Sequence, residues 1–171
     1  RFRERHGTLT ESQRQSVESF NEWKTAEIER QAETYHNMLN AEFSGYTDDT
    51  RVLNMMNEIP DEVLIHLDSR MRRNGENLRQ LLEDNTDGTD ELDVVARLRI
   101  AHQLEGVPYE QRSQERIRLR VAHFQQRLEN EFDGLIYSSD DEINNIIGQL
   151  SDEELKALDK AYGGRLQQKV E

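Results

Sequence analysis

The chain has 171 residues, enough for one domain or two small ones around a real core, with 34% hydrophobic and 33% charged residues and a net charge of −13. An acidic surface of that size repels phosphate backbones, which disfavours nucleic acid, and it disfavours acidic lipid unless divalent cations bridge the two. The absence of cysteine excludes disulfides, cysteine-ligated zinc and thiol nucleophiles.

Two prolines and nine glycines leave room for long helices, and Glu, Gln, Arg and Leu favour them. The sequence therefore reads as all-α. No apolar run approaches membrane-spanning length and no signal peptide opens the sequence. It starts at Arg1 and reads as a piece of a longer protein, so the compartment stays open.

In chain order, "RFRERHG" is a basic, peripheral opening. Thr10 with Gln13 forms a capping box for a long helix that ends near Phe43. Within it Phe20, Trp23 or Lys24, Glu27 or Ile28, Tyr35, Leu39 and Phe43 recur at helical steps. The stretch carrying Phe20 and Trp23 is expected to extend beyond the bundle and dock elsewhere. Val52, Leu53, Met55, Met56 and Ile59 mark a second helix that Pro60 stops. The methionine pair reads as core. Asp61 is expected to cap a third helix with Val63, Leu64, Leu67 and Met71 on its apolar face, closed at Gly75. Leu78, Leu81 and Leu82 belong to a fourth helix, and Leu92 to Leu104 to a fifth.

After Gly106 and Pro108 comes a long charged helix with Ile117, Val121, Phe124, Leu128 and Phe132. Its arginines, Arg112, Arg116, Arg118, Arg120 and Arg127, are interleaved with Glu110, Glu115, Glu129 and Glu131 and read as a solvated, ion-paired face. Ser139 with Glu142 and Ser151 with Glu154 make capping boxes for two further helices, and the glycine pair at 163–164 leaves a short tail.

The chain aligns on itself. With an offset of 89, Ile28, Ala32, Tyr35, Leu39, Phe43 and Gly45 fall on Ile117, Val121, Phe124, Leu128, Phe132 and Gly134. After a two-residue insertion, Tyr46 falls on Tyr137, Ile59 on Leu150, Leu64 on Leu155 and Leu67 on Leu158; after a deletion, Gly75 falls on Gly163 and Leu78 on Leu166. Matched breaks at both ends of three helices exceed what helical periodicity alone supplies. The organisation expected is an N-terminal extension and helix start at 1–24, a first helical repeat at 25–88, a connecting helical segment at 89–112 and a second repeat at 113–171. The fold expected is a duplicated bundle of seven or eight helices, annexin-like or solenoid-like.

The stretch "EDNTDGTDELDV", residues 83–94, poses the functional question. As an EF-hand with Gly88 at the sixth position it lacks the closing bidentate glutamate, because Val94 stands there. It reads instead as an acidic turn, with Asp87, Thr89 and Asp90 near a helix N-terminus.

Residues 44–88, "SGYTDDTRVLNMMNEIPDEVLIHLDSRMRRNGENLRQLLEDNTDG", resemble an annexin repeat, and residues 133–171 resemble it again. The likeness rests on the acidic loop between the first two helices, the break before the third, and the order Gly75, Leu78, Leu82, Gly88. It implies calcium-dependent docking on acidic phospholipid. Gly45 and Thr47 of the first loop and Asp84 or Asp87 of a distant loop would be the metal ligands. The sequence departs from the pattern: the first loop has one glycine where the family has two, and Asn85 stands where the distant carboxylate belongs. The cofactor expected is therefore none, or calcium at these four residues.

Enzyme signals are thin. His6, His36, His66, His102 and His123 form no pair spaced to hold a metal on one helix face, and Glu33 with His36 is the chain's single Glu-x-x-His pair. No catalytic residue is assigned. The function expected is a non-catalytic interaction or scaffold module of a larger protein, binding a protein partner or other parts of its parent and no nucleic acid. The alternative is annexin-like, calcium-dependent binding to acidic membranes.

Overall fold

The computed structural model describes residues 9–133 and 140–170, which contain nine helices and no strand. They are α1 (Glu11–Phe43), α2 (Asp49–Glu58), α3 (Asp61–Arg73), α4 (Leu78–Asn85), α5 (Gly88–Leu104), α6 (Tyr109–Asp133), α7 (Asp140–Gly148), α8 (Asp152–Ala161) and α9 (Leu166–Val170). The fold is all-α, as the composition requires. The expected tail is the short helix α9, so the count is nine. The chain divides after Ala101 into two compact units.

The first unit is built on a core of Leu39, Val52, Met56, Ile59, Leu64, Leu67, Leu78, Leu82 and Val94, with Ile28, Tyr35 and Phe43 packed against it. Each such aliphatic side chain contributes roughly 1.5–3 kcal/mol by leaving water. Helices α1 and α3 run in the same direction: Lys24 pairs with Glu62 at 3.5 Å, and further along His36 Nε2 approaches Glu76 at 3.4 Å. The Thr10–Gln13 capping box opens α1 in both directions. Met55 and Met56 are core, as expected.

The expectation for Asp61 is corrected. Pro60 occupies the N-cap position of α3 and makes no side-chain cap bond. Asp61 lies one residue inside the helix, and its carboxylate takes the Arg97 guanidinium at 2.5 Å. The same guanidinium donates to the carbonyls of Met56 at 3.0 Å and Ile59 at 2.5 Å. Met56 would ordinarily accept from the amide four residues on, but that residue is Pro60, which has none. Arg97 of α5 supplies the missing donor and pins the break between α2 and α3.

The second unit has its own core of Val121, Phe124, Leu128, Ile143, Ile146, Leu150, Leu158 and Leu166. Here α6 and α8 run parallel, joined by Arg120 to Glu154 at 2.5 Å and Tyr162 to Glu129 at 2.6 Å. Ser151 and Glu154 form the expected capping box. The Ser139 box, the Tyr137 match and the basic opening with His6 lie outside the described residues.

The solvated-face reading of α6 holds for Arg118, which pairs with Glu115, but not for Arg120 or Arg127. Arg120 stacks over the Phe124 ring and donates to the Gln149 carbonyl at 2.8 Å, a role like that of Arg97. Arg127 is 3% exposed and reaches Glu142 of α7 at 3.6 Å. Both lie on the side of α6 that carries Phe124 and Leu128, where a guanidinium can neutralise carboxylates of neighbouring helices.

Matched positions of the two repeats play matched roles. Leu67 and Leu158 are both fully buried, and Gly75 and Gly163 both adopt positive φ, 78° and 65°. Each glycine follows a helix end closed by a six-residue backbone bond, Glu76 N–H to Met71 O and Gly164 N–H to Asp159 O, both 2.8 Å. Only glycine enters that left-handed conformation without strain.

Candidate functional site

The four residues expected as ligands come together. Gly45, Thr47, Asp84 and Asp87 line one open pocket of about 700 Å³ in the first unit, with Tyr46, Asp48, Asp49, Thr50, Asn85 and Thr86. The pocket lies where the α1–α2 loop meets the α4–α5 turn. The two segments are bridged directly, since the backbone N–H of Asp87 donates to Asp49 Oδ2 at 3.1 Å across 38 residues of sequence.

The turn itself is tight. α4 persists to Asn85 and α5 begins at Gly88, whose φ of 59° lets the chain reverse. Residues 83–94 are therefore two helix ends and a two-residue link, not a twelve-residue loop, and Val94 is fully buried. This geometry agrees with the inter-helix turn and with the rejection of an EF-hand.

Most polar groups around the pocket already have partners. Asp48 caps α2 by accepting from Arg51 N–H at 3.2 Å, while its own N–H donates to Glu42 Oε1 at 3.0 Å. Asp49 stabilises the start of α5 through Asp87 N–H, where a carboxylate also meets the positive end of the helix. Asp84 accepts from Gln80 Nε2 at 2.8 Å. Asn85, at the position of the distant ligand, turns its amide back to the Leu81 carbonyl at 2.8 Å. Thr86 is buried and donates to Leu82 O at 2.6 Å. Among the described residues no three His, Asp or Glu side chains are grouped to hold a metal ion. Thr47 is half-buried, whereas Gly45, Asp84 and Asp87 are exposed and stand on two different segments.

Asp49 is the residue that sequence reasoning missed. Its signal was the doubled acid of "YTDDT": one aspartate caps its own helix, which leaves the next to reach across.

A second feature lies far from this pocket. Residues 11–26 of α1 are exposed throughout, including Val17 at 47%, Phe20 at 59% and Trp23 at 63%. The core face of α1 begins only at Ile28. Phe20 and Trp23 have ring centroids 6.0 Å apart, forming a small aromatic ridge. The half-buried histidines His36, His66, His102 and His123 lie on helix flanks, and His36 approaches Glu76.

No family model, curated protein or solved structure matches the chain. Among the described residues, no helix is long and apolar enough to cross a membrane.

Proposed function

We propose that this chain is a non-catalytic helical interaction module that binds its partner through the first half of α1. The observation that carries this reading is the exposed row Val17, Phe20 and Trp23 on a helix whose later turns are anchored in a core. Anchoring the second half holds the first half in place, so a partner meets a preformed helix and loses little ordering entropy on binding. Large aromatic side chains are the usual energetic anchors of such contacts. A photo-crosslinker at Phe20 should capture a partner that one at Tyr46, the exposed loop tip, does not. Equal capture at both positions, or clear turnover of a small substrate, sinks the reading.

The annexin-like alternative draws support from the convergence of Gly45, Thr47, Asp84 and Asp87 on one pocket. In that reading the loop carbonyls and one carboxylate hold calcium, and the ion bridges to acidic phospholipid. Asp49 would then have to release Asp87 N–H, or the ion would have to sit beside that bond. Calorimetric titration with calcium tests it, with the Asp84→Ala/Asp87→Ala variant as control. Saturable heat lost in the double variant supports the site, and absence of heat at millimolar calcium removes it.

A further inference from the structure

Asn74 is the one asparagine of the chain that a glycine follows, in the stretch "RRNGEN" that closes α3. Both Asn74 and Gly75 are exposed, and a Cβ built on Gly75 would meet nothing within 4 Å. Asn77 and Asn85 engage their side-chain amides at helix ends, the first accepting from Gln80 N–H at 3.1 Å and the second donating to Leu81 O at 2.8 Å. The Asn74 amide has no such partner among the described residues.

An asparagine in this setting is an electrophile beside a nucleophile. The glycine nitrogen carries no neighbouring side chain to keep it from the asparagine carboxamide, and its backbone turns freely. We infer that Asn74 is a site of spontaneous deamidation, gated by the closure of α3. The Gly75 nitrogen gives its proton to hydroxide or a buffer base and attacks Asn74 Cγ. The N–Cγ bond forms, the Cγ–Nδ2 bond breaks, and ammonia leaves after taking up a proton. Water then opens the five-membered imide at either carbonyl, which yields aspartate or isoaspartate at position 74.

The fold sets the rate. The Gly75 N–H donates to Arg72 O at 3.1 Å, and the next amide, of Glu76, donates to Met71 O at 2.8 Å. The nitrogen is freed when this closure opens, which at an exposed helix end is a local event well below global unfolding.

Both products take the net charge from −13 to −14. Aspartate places a carboxylate at a helix C-terminus, which the dipole disfavours and which Arg70, Arg72 and Arg73 of the last turn offset. Isoaspartate adds one carbon to the main chain between residues 74 and 75. The bond from Glu76 to Met71 is then lost, and Glu76 is displaced from His36 of α1, which it approaches at 3.4 Å. The seam between α1 and α3 therefore ages at this turn. The matched turn of the second unit does not, since Tyr162 precedes Gly163.

The test incubates the whole chain from neutral to mildly alkaline pH and follows every asparagine by tandem mass spectrometry of its peptides. A synthetic peptide of residues 70–79 serves as the open reference. Deamidation adds about 1 Da. The Asp87–Gly88 pair would cyclise by losing water and regain it on opening, so it leaves the mass unchanged. The gain is expected at position 74, faster as pH rises, split between aspartate and isoaspartate, and about tenfold or more slower than in the peptide. Asn74→Gln should abolish it there. Asn74→Asp, the fixed aspartate product, should keep the helical circular dichroism. No gain in the folded chain while the peptide converts fully would make the closure a complete shield and overturn the inference. Equal rates in chain and peptide would overturn the gating, and a gain spread evenly over the other asparagines would overturn the site.

Discussion

Leu67 on α3 and Leu158 on α8 occupy equivalent places and are equally buried, yet the arginines that close the adjoining helix breaks come from different directions. In the first unit Arg97 reaches back from α5, downstream of the break; in the second, Arg120 reaches forward from α6, upstream of it. The apolar positions of a helical repeat are held by geometry, because each must face the same core. The donor that satisfies a helix end needs only to arrive at the right carbonyls, so its point of origin is free to differ. The faces turned to solvent differ as well: Phe20 and Trp23 are exposed in the first unit, and in the second the exposed Lys156 and Lys160 stand at positions aligned with Ile65 and Ser69.

The largest expected effect tests the shared core. Leu67→Ala and Leu158→Ala should each cost about 2–5 kcal/mol. Hydrogen exchange should show loss of protection in the mutated unit first. Equal loss across both units would mean that they unfold as one body.

The arginine closures should separate the units next. Arg97→Met removes the guanidinium that donates to two carbonyls and Asp61, and Arg120→Met removes the one that donates to one carbonyl and Glu154. Losses of about 1–3 kcal/mol are expected, with the Arg97 variant the more damaging in urea denaturation. The reverse order would show that the proline break needs no closure.

Gly75→Ala and Gly163→Ala should each lose about 1 kcal/mol, because alanine resists positive φ. Similar midpoint shifts for the two would sharpen the equivalence of the repeats, and a shift for only one would break it.

The smallest effect is confined to the second unit. Burial, and then the hydrogen bond to the Glu129 carboxylate, push the Tyr162 phenol above its ordinary value of 10. A raised phenol favours the folded state below that pH, and the benefit fades as pH climbs above 10. Thermal melts of the intact chain should fall more steeply there than those of Tyr162→Phe. Parallel curves would assign the alkaline loss to other groups.

Much of the fold was legible because helices announce themselves locally. The Thr10 and Ser151 capping boxes, the Pro60 break and the positive-φ glycines at 75 and 163 each act within a few residues of their own position. Of the candidate site, Gly45, Thr47, Asp84 and Asp87 were nominated from the annexin resemblance, and they line one pocket. What spacing could not show was how the neighbouring carboxylates are used. Asp48 caps α2, Asp49 bridges to Asp87, and Asn85 folds back on its own helix.

The sequence by itself determined the all-α class and most of the helix stops, since each follows from periodicity, capping chemistry or composition over a short span. Only the tertiary structure decided which charges are structural. Arg97, Arg120 and Arg127 look like any surface arginine in a charged helix, but each is committed to a neighbouring element. A long, flexible side chain finds its partner in space, and sequence separation carries no record of that distance.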